Sequence, residues 1–89
     1  LLNMKIKKES EIPFYVILTG EIGNVIAWGG STSLRKTKRI MRNPLAFRKG
    51  QWKSVVKFPN RKAAYESQYG PSLEIAHGRF SWRPLRGSR

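Results

Sequence analysis

From Ile22 to Tyr65 the chain contains no carboxylate, yet that stretch carries eleven cationic side chains. They are Arg35, Lys36, Lys38, Arg39, Arg42, Arg48, Lys49, Lys53, Lys57, Arg61 and Lys62. An unpaired charge is too costly to desolvate, so each must reach water or an anionic partner. About half of the 89 residues are thereby confined to elements with one apolar side and one cationic side. The full chain holds 18 Lys and Arg against five Glu, a net charge of +13. Self-repulsion on that scale opposes compaction, and a domain this small buries only a modest core against it. Even so, 39% of the residues are hydrophobic, including three Trp, three Tyr and four Phe, which argues for one folded domain rather than a disordered tail.

The apolar residues fall into short periodic runs. Residues 1–12 read as a basic N-terminal arm bearing Lys5, Lys7 and Lys8, followed by a compact domain over 13–85 and a basic tail over 86–89. "FYVILTG", from Phe14, is aromatic and β-branched and is bounded by Pro13 and Gly20, as a buried strand would be. A turn through Gly20, Gly23 and Asn24 returns the chain along "VIAW", which predicts a hairpin. In "GGSTSLRKTKRIMRNP" the period becomes helical. Leu34, Thr37, Ile40 and Met41 share one side, while Arg35, Arg39 and Arg42 form a ridge on another. Ser31, Thr32 or Ser33 can cap this helix, and Asn43-Pro44 stops it.

"WKSVVKF" alternates again, with Trp52, Ser54, Val56 and Phe58 on one face and Lys53, Val55 and Lys57 on the other. Asn60 caps a short helix, "RKAAYESQY", which should end at Gly70-Pro71. "SLEIAHGRFSW" reads as a last strand interrupted at Gly78. The predicted order is β-β-α-β-α-β, a small α+β domain with helices packed over one face of an antiparallel or mixed sheet.

A field of unbalanced cations fits nucleic acid best, because phosphate contacts release condensed counterions. The expected contacts are Ser31, Thr32, Arg35, Lys36, Lys38, Arg39, Arg42, Arg48, Lys49, Lys53, Lys57, Arg79 and Arg83, with Trp28 and Trp52 as aromatic contacts. The helical arginine ridge suits a duplex, so DNA is slightly preferred to RNA, and binding alone needs no cofactor. An alternative is a small basic inhibitor or adaptor that docks on an acidic protein, with Trp28 and Trp52 as anchors. A homodimer would supplement the core. No long amphipathic segment points to a membrane surface, and the absence of Cys fits a reducing compartment, cytoplasmic or nucleoid-associated. One histidine (His77), no Cys and no Asp leave little for a metal site, and "GGSTS" lacks the spacing of a phosphate-binding P-loop.

Tyr15 and "GGSTSLRKTKR" together give the stretch from 13 to 69 a second reading: it resembles the GIY-YIG nucleases. Those α+β domains carry two short motifs on successive strands, then a hydroxyl residue, a helix with an arginine, and a metal-holding glutamate on a later helix. Tyr15 stands for the first tyrosine, Gly29 for the second motif's glycine, Ser31 and Leu34 for the positions after it, and Glu66 for the metal ligand. Ala27 replaces the second tyrosine, and Thr37 occupies the arginine position, which leaves Lys38 or Arg39 to substitute. The resemblance implies a phosphodiesterase in which Tyr15 positions water, Lys38 or Arg39 stabilises phosphate charge and Glu66 holds Mg2+. It equally implies a relative that has lost cleavage and kept its affinity for nucleic acid.

Overall fold

The computed structural model describes residues 8–21, 24–48 and 50–76. Lys5 and Lys7 of the basic arm, Lys49, His77, the second half of the expected last strand with Arg79 and Arg83, and the tail all lie outside those residues. A 3-10 turn over Glu9–Glu11 leads into β1 (Phe14–Glu21) and β2 (Asn24–Ser31), then α1 (Leu34–Met41), β3 (Trp52–Phe58), α2 (Arg61–Glu66) and α3 (Gly70–Ile75). The three strands form one antiparallel sheet in the order β2-β1-β3.

β1 is central, and its side chains alternate between two cores. Phe14, Val16 and Leu18 pack with Ala64 of α2, Leu73 of α3 and Ala76, and Val56, Phe58, Tyr65 and Tyr69 close the rim. Ile17, fully buried, and Thr19, 1% exposed, face the opposite way. Tyr15 on that second face pairs with Ser31 across the β2 side and Lys57 across the β3 side. Because Ser31 meets Thr37 of α1 through their hydroxyls, α1 covers this face. The helices therefore divide between the two faces instead of sharing one, as the continuous apolar run of β1 requires.

Between β1 and β2 the register slips at Ile17/Leu18, leaving Trp28 as the extra residue. This bulge keeps Ala27 in the α3-side core and turns the Trp28 ring onto Phe47, with centroids 4.8 Å apart. Thr19 Oγ1 donates to the Trp52 carbonyl at 2.8 Å, fixing the start of β3 against β1.

The caps follow from local chemistry. Ser33 Oγ accepts from the Lys36 amide at 3.0 Å at the start of α1, and Asn60 Oδ1 accepts from the Ala63 amide at 2.8 Å at the start of α2. Asn60 Nδ2 also donates to the Ser10 carbonyl at 3.0 Å, and an Arg61–Glu9 ion pair fastens the 3-10 turn to α2. Tyr65 on α2 has its phenol pKa raised, first by burial and then by the Glu74 carboxylate, with Arg61 pulling the other way.

The last described element corrects the expected strand. Gly70-Pro71 opens a helix rather than merely closing one: proline in the first turn of a helix loses no intrahelical hydrogen bond and arrives with helical φ. Leu73 and Ala76, three apart, are 0% and 3% exposed on one side, whereas a strand would send them to opposite faces. Gly70 itself is a matter of space, since a Cβ there would run into the Tyr65 carbonyl. Gly50 has the opposite reason, a φ of +84° with open surroundings.

Gly70→Ala is expected to cost about 1–3 kcal/mol of unfolding free energy by overpacking the α2–α3 junction, and Leu73→Ala about 2–5 kcal/mol by leaving a cavity. Urea titration monitored by circular dichroism reads both. A Leu73→Ala chain as stable as the parent would refute the α3-side core.

Candidate nucleic-acid interface

The cations expected to make contacts gather mainly on the α1 side of the sheet. Arg35, Lys38, Arg39 and Arg42 are exposed on α1 or at its C-cap, and Lys36 is half-buried. Arg35 and Arg39 are four apart and Arg42 three further on, so a single ridge runs along a helix about 12 Å long. Lys53 and Lys57 are exposed on β3 and share the Tyr15 and Ile17 face, by the alternation of the strand. Arg48 is exposed in the loop after α1, where its amide donates to Gln51 Oε1 at 3.1 Å and its carbonyl accepts from the Gln51 amide at 3.1 Å.

Four of the five carboxylates lie on other elements, and the fifth, Glu21, ends β1. Glu9 and Glu11 belong to the 3-10 turn packed on α2, Glu66 to α2 and Glu74 to α3. Arg61 and Lys62, the two cations of α2, both have acidic partners: Glu9, and Glu66 at 3.9 Å. On α1, its following loop and β3 the sequence has no acid at all. The α2–α3 side thus mixes both signs, whereas α1, its following loop and β3 carry cations without acids.

The α1 N-terminus is built for the fold first. Ser31 is 1% exposed, and its Oγ accepts from the Ser33 amide at 2.9 Å and lies 3.4 Å from Thr37 Oγ1. Thr37, fully buried, donates its hydroxyl proton to the Ser33 carbonyl at 2.8 Å. Ser31 therefore leaves the expected contact set, because its hydroxyl works inside the α1–sheet seam. Thr32, half-buried beside it, stays nearer the surface. Arg35 and Lys36 remain at the positive end of the helix dipole, while Lys38 and Arg39 occupy the favourable last turn.

The aromatic expectations divide. Trp28 is half-buried against Phe47. Phe47 is only 8% exposed and carries Lys53 Nζ 5.0 Å above its ring centroid, a cation–π contact. Trp52 is 43% exposed, but by strand alternation it faces with Ser54, Val56 and Phe58, away from α1. Phe47 was missed in the sequence, where a lone aromatic in a basic loop has no periodic partner to mark it; the structure makes it the hub that joins Trp28, α1's following loop and Lys53.

The nuclease-like set is spread more widely. Tyr15 is on the α1 face, whereas Glu66 is on α2 across the sheet, its side chain 66% exposed. Thr37, at the position where the resemblance expects arginine, points into the interior, and Lys38 and Arg39 beside it point outward. Among the described residues, no group of three or more His, Cys, Asp or Glu side chains could hold a metal ion. No described helix is long and apolar enough to cross a membrane.

Thr37→Arg supplies the missing arginine and so separates packing from chemistry. A guanidinium at this buried site is expected to destabilise the chain by about 3 kcal/mol or more. Thr37→Val, which loses only the hydroxyl pair, should cost about 1 kcal/mol. Thermal melts of the two variants check the order; a Thr37→Arg chain that melts like the parent would show that the α1 seam is open. In comparisons with models of protein families, with characterised proteins and with solved structures, the chain finds no match.

Proposed function

We propose that this domain binds nucleic acid through the α1–β3 layer, chiefly by phosphate contacts. The observation that supports the reading is the set of exposed cations Arg35, Lys38, Arg39, Arg42, Lys53 and Lys57 on α1 and β3, elements that have no carboxylate. A polyanion neutralises such a layer and releases its own counterions in doing so. Phosphate contact is favoured over base stacking because Phe47 is buried and Trp28 packs on it. Stacking on single strands needs open rings, and Trp52 looks the other way.

Duplex DNA remains slightly preferred. An α1 ridge about 12 Å long is comparable with the width of a major groove, and arginine contacts phosphate and guanine edges alike. The cell's nucleic-acid compartments, cytoplasm or nucleoid, are the proposed location. An acidic protein docking on the same layer is the competing partner, and the mixed arms of the binding test separate the two.

The test measures affinity for duplex DNA, single-stranded DNA, folded RNA and an acidic protein over a salt series. If six phosphates are engaged, the log–log salt slope on duplex DNA is about −5, so affinity falls by about 10³-fold between 50 and 200 mM salt. Arg35→Ala with Arg39→Ala and Arg42→Ala should flatten that slope by about 3, whereas Lys62→Ala, on the far side of the sheet, leaves it unchanged. A flat salt response on every nucleic acid ends the proposal; tight binding to the acidic protein alone transfers it to that partner. Incubation with Mg2+ tests the enzymatic alternative, since cleavage products that vanish in Glu66→Gln would replace gripping with phosphodiester hydrolysis.

A further inference from the structure

We propose that Leu45 is a wedge: when the α1–β3 layer grips duplex DNA, this side chain enters between neighbouring base pairs and kinks the duplex. This role depends on the layer's proposed affinity for nucleic acid and specifies the DNA that suits it, a duplex that bends easily. Leu45 is 93% exposed, the most open of the large apolar side chains among the described residues. A lone exposed leucine is ordinary. Its setting here is not.

The turn that carries Leu45 is fixed at both ends. The Asn43 amide donates to the Ile40 carbonyl at 3.0 Å, so the turn starts where α1 stops. The Asn43 carbonyl accepts from the Ala46 amide at 3.1 Å, and Asn43 Oδ1 accepts from the Leu45 amide at 2.9 Å. Pro44 fixes a further backbone angle between them. Two residues beyond Leu45, Phe47 is 8% exposed and packs on Trp28. Asparagine and proline in the first two positions satisfy such a turn, which does not require leucine in the third. The side chain adds almost nothing to the core, and a turn already ordered loses little entropy when its tip is inserted.

Charge selects the occupant. Arg42 and Arg48 stand three residues before and three after Leu45, both exposed, and the sequence has no carboxylate between Glu21 and Glu66. Phosphates drawn to this turn bring the apolar base stack to its tip. Minor-groove proteins insert single Leu, Ile, Met, Phe or Pro side chains in this way, unstacking a step and bending the duplex by about 20–90°. An anionic lipid surface also combines charge with an apolar interior, but it rewards buried area. A single myristoyl chain gives only marginal membrane binding, and one leucine buries much less. A wedge needs one side chain. Base steps also differ in stiffness: TA steps unstack readily and A-tracts resist. The layer therefore favours duplexes with a central TA step without reading any base by hydrogen bonding.

Short duplexes labelled at both ends test this, with energy transfer reading the bend and titration the affinity. The parent should bend a duplex with a central TA step by about 20° or more and bind it about tenfold more tightly than an A-tract of equal length. Leu45→Ala should abolish the bend and the TA preference and weaken binding to the TA duplex about tenfold. Its salt slope, which counts phosphates, and its melting temperature should stay at the parent's values. Ile75→Ala, which removes another exposed aliphatic side chain, beside Glu74 on α3, should change none of these. A parent that binds with a steep salt slope but leaves the duplex straight, or a Leu45→Ala chain that bends it equally, overturns the wedge and leaves the phosphate contacts in place. A parent with no salt-dependent affinity for any nucleic acid overturns both. Binding to vesicles of equimolar phosphatidylcholine and phosphatidylserine that Leu45→Ala abolishes, with no bend in DNA, would assign the tip to a membrane instead.

Discussion

Val16 and Ile17 are consecutive residues of β1, and both are fully buried. In a strand they point to opposite faces, so both faces must be covered before either can leave water. This requirement sets the plan of the molecule. The α2–α3 pair takes the face of Phe14, Val16 and Leu18, and α1 takes the face of Ile17 and Thr19. Were all helices on one face, Ile17 would be stranded in solvent and the α1 cations would interleave with Glu66 and Glu74. Hydrophobic burial on a central strand is therefore what keeps the α1 cations on a different face from Glu66 and Glu74.

Much of this was legible along the chain, wherever the signal is local. The strand at Phe14, the return along β2, the inward position of Thr37 on its helical stripe (though Leu34 at the stripe's start is 38% exposed), the alternation of β3 and the Asn60 cap all rest on spacing or on one side chain's chemistry. The exposed ridge of Arg35, Arg39 and Arg42 came from the same spacing. What was missed depends on packing. α3 spans six residues, too few to display a helical period, and Gly-Pro is a stop for one helix and a good first turn for the next. One extra residue at Trp28 has no marker of its own. "STS" offers three hydroxyls, and only the seam with Thr37 decides that Ser31 is the buried one. The two-faced cover was signalled by the unbroken apolar run of β1, since a strand wet on one side would alternate.

The resemblance to a nuclease meets the fold at its most informative position. The positions it invokes fall here on two strands, the helix after them and a later helix. On α1, however, Thr37 occupies the inward position and closes onto Ser31 and the Ser33 carbonyl, while Lys38 and Arg39 turn to solvent. An α-helix with its side chains is about 10 Å across, so a phosphate held by the outer ridge is separated from Tyr15 by the thickness of α1. A water-positioning tyrosine must touch the reacting centre, within hydrogen-bond reach of about 3 Å. This arrangement favours a surface that grips a backbone over a cleft that cuts one.

The charge that suits the α1 layer to a polyanion also weakens the free protein, and salt separates the two effects. Neighbouring cations on α1 sit about 6 Å apart along the helix, inside the Debye length of about 10 Å at 0.1 M, so they repel until salt or a ligand intervenes. Raising salt screens this repulsion and stabilises the fold, but it also removes the counterion-release advantage and weakens the complex. A polyanion supplies the same relief at low salt, and a ligand that binds only the native state raises the melting temperature by mass action. The melting temperature of the free chain should therefore climb with salt while the increment added by duplex DNA shrinks, until the two curves merge. Curves that stay parallel would mean that the cations of α1 and β3 are too scattered to act as one surface.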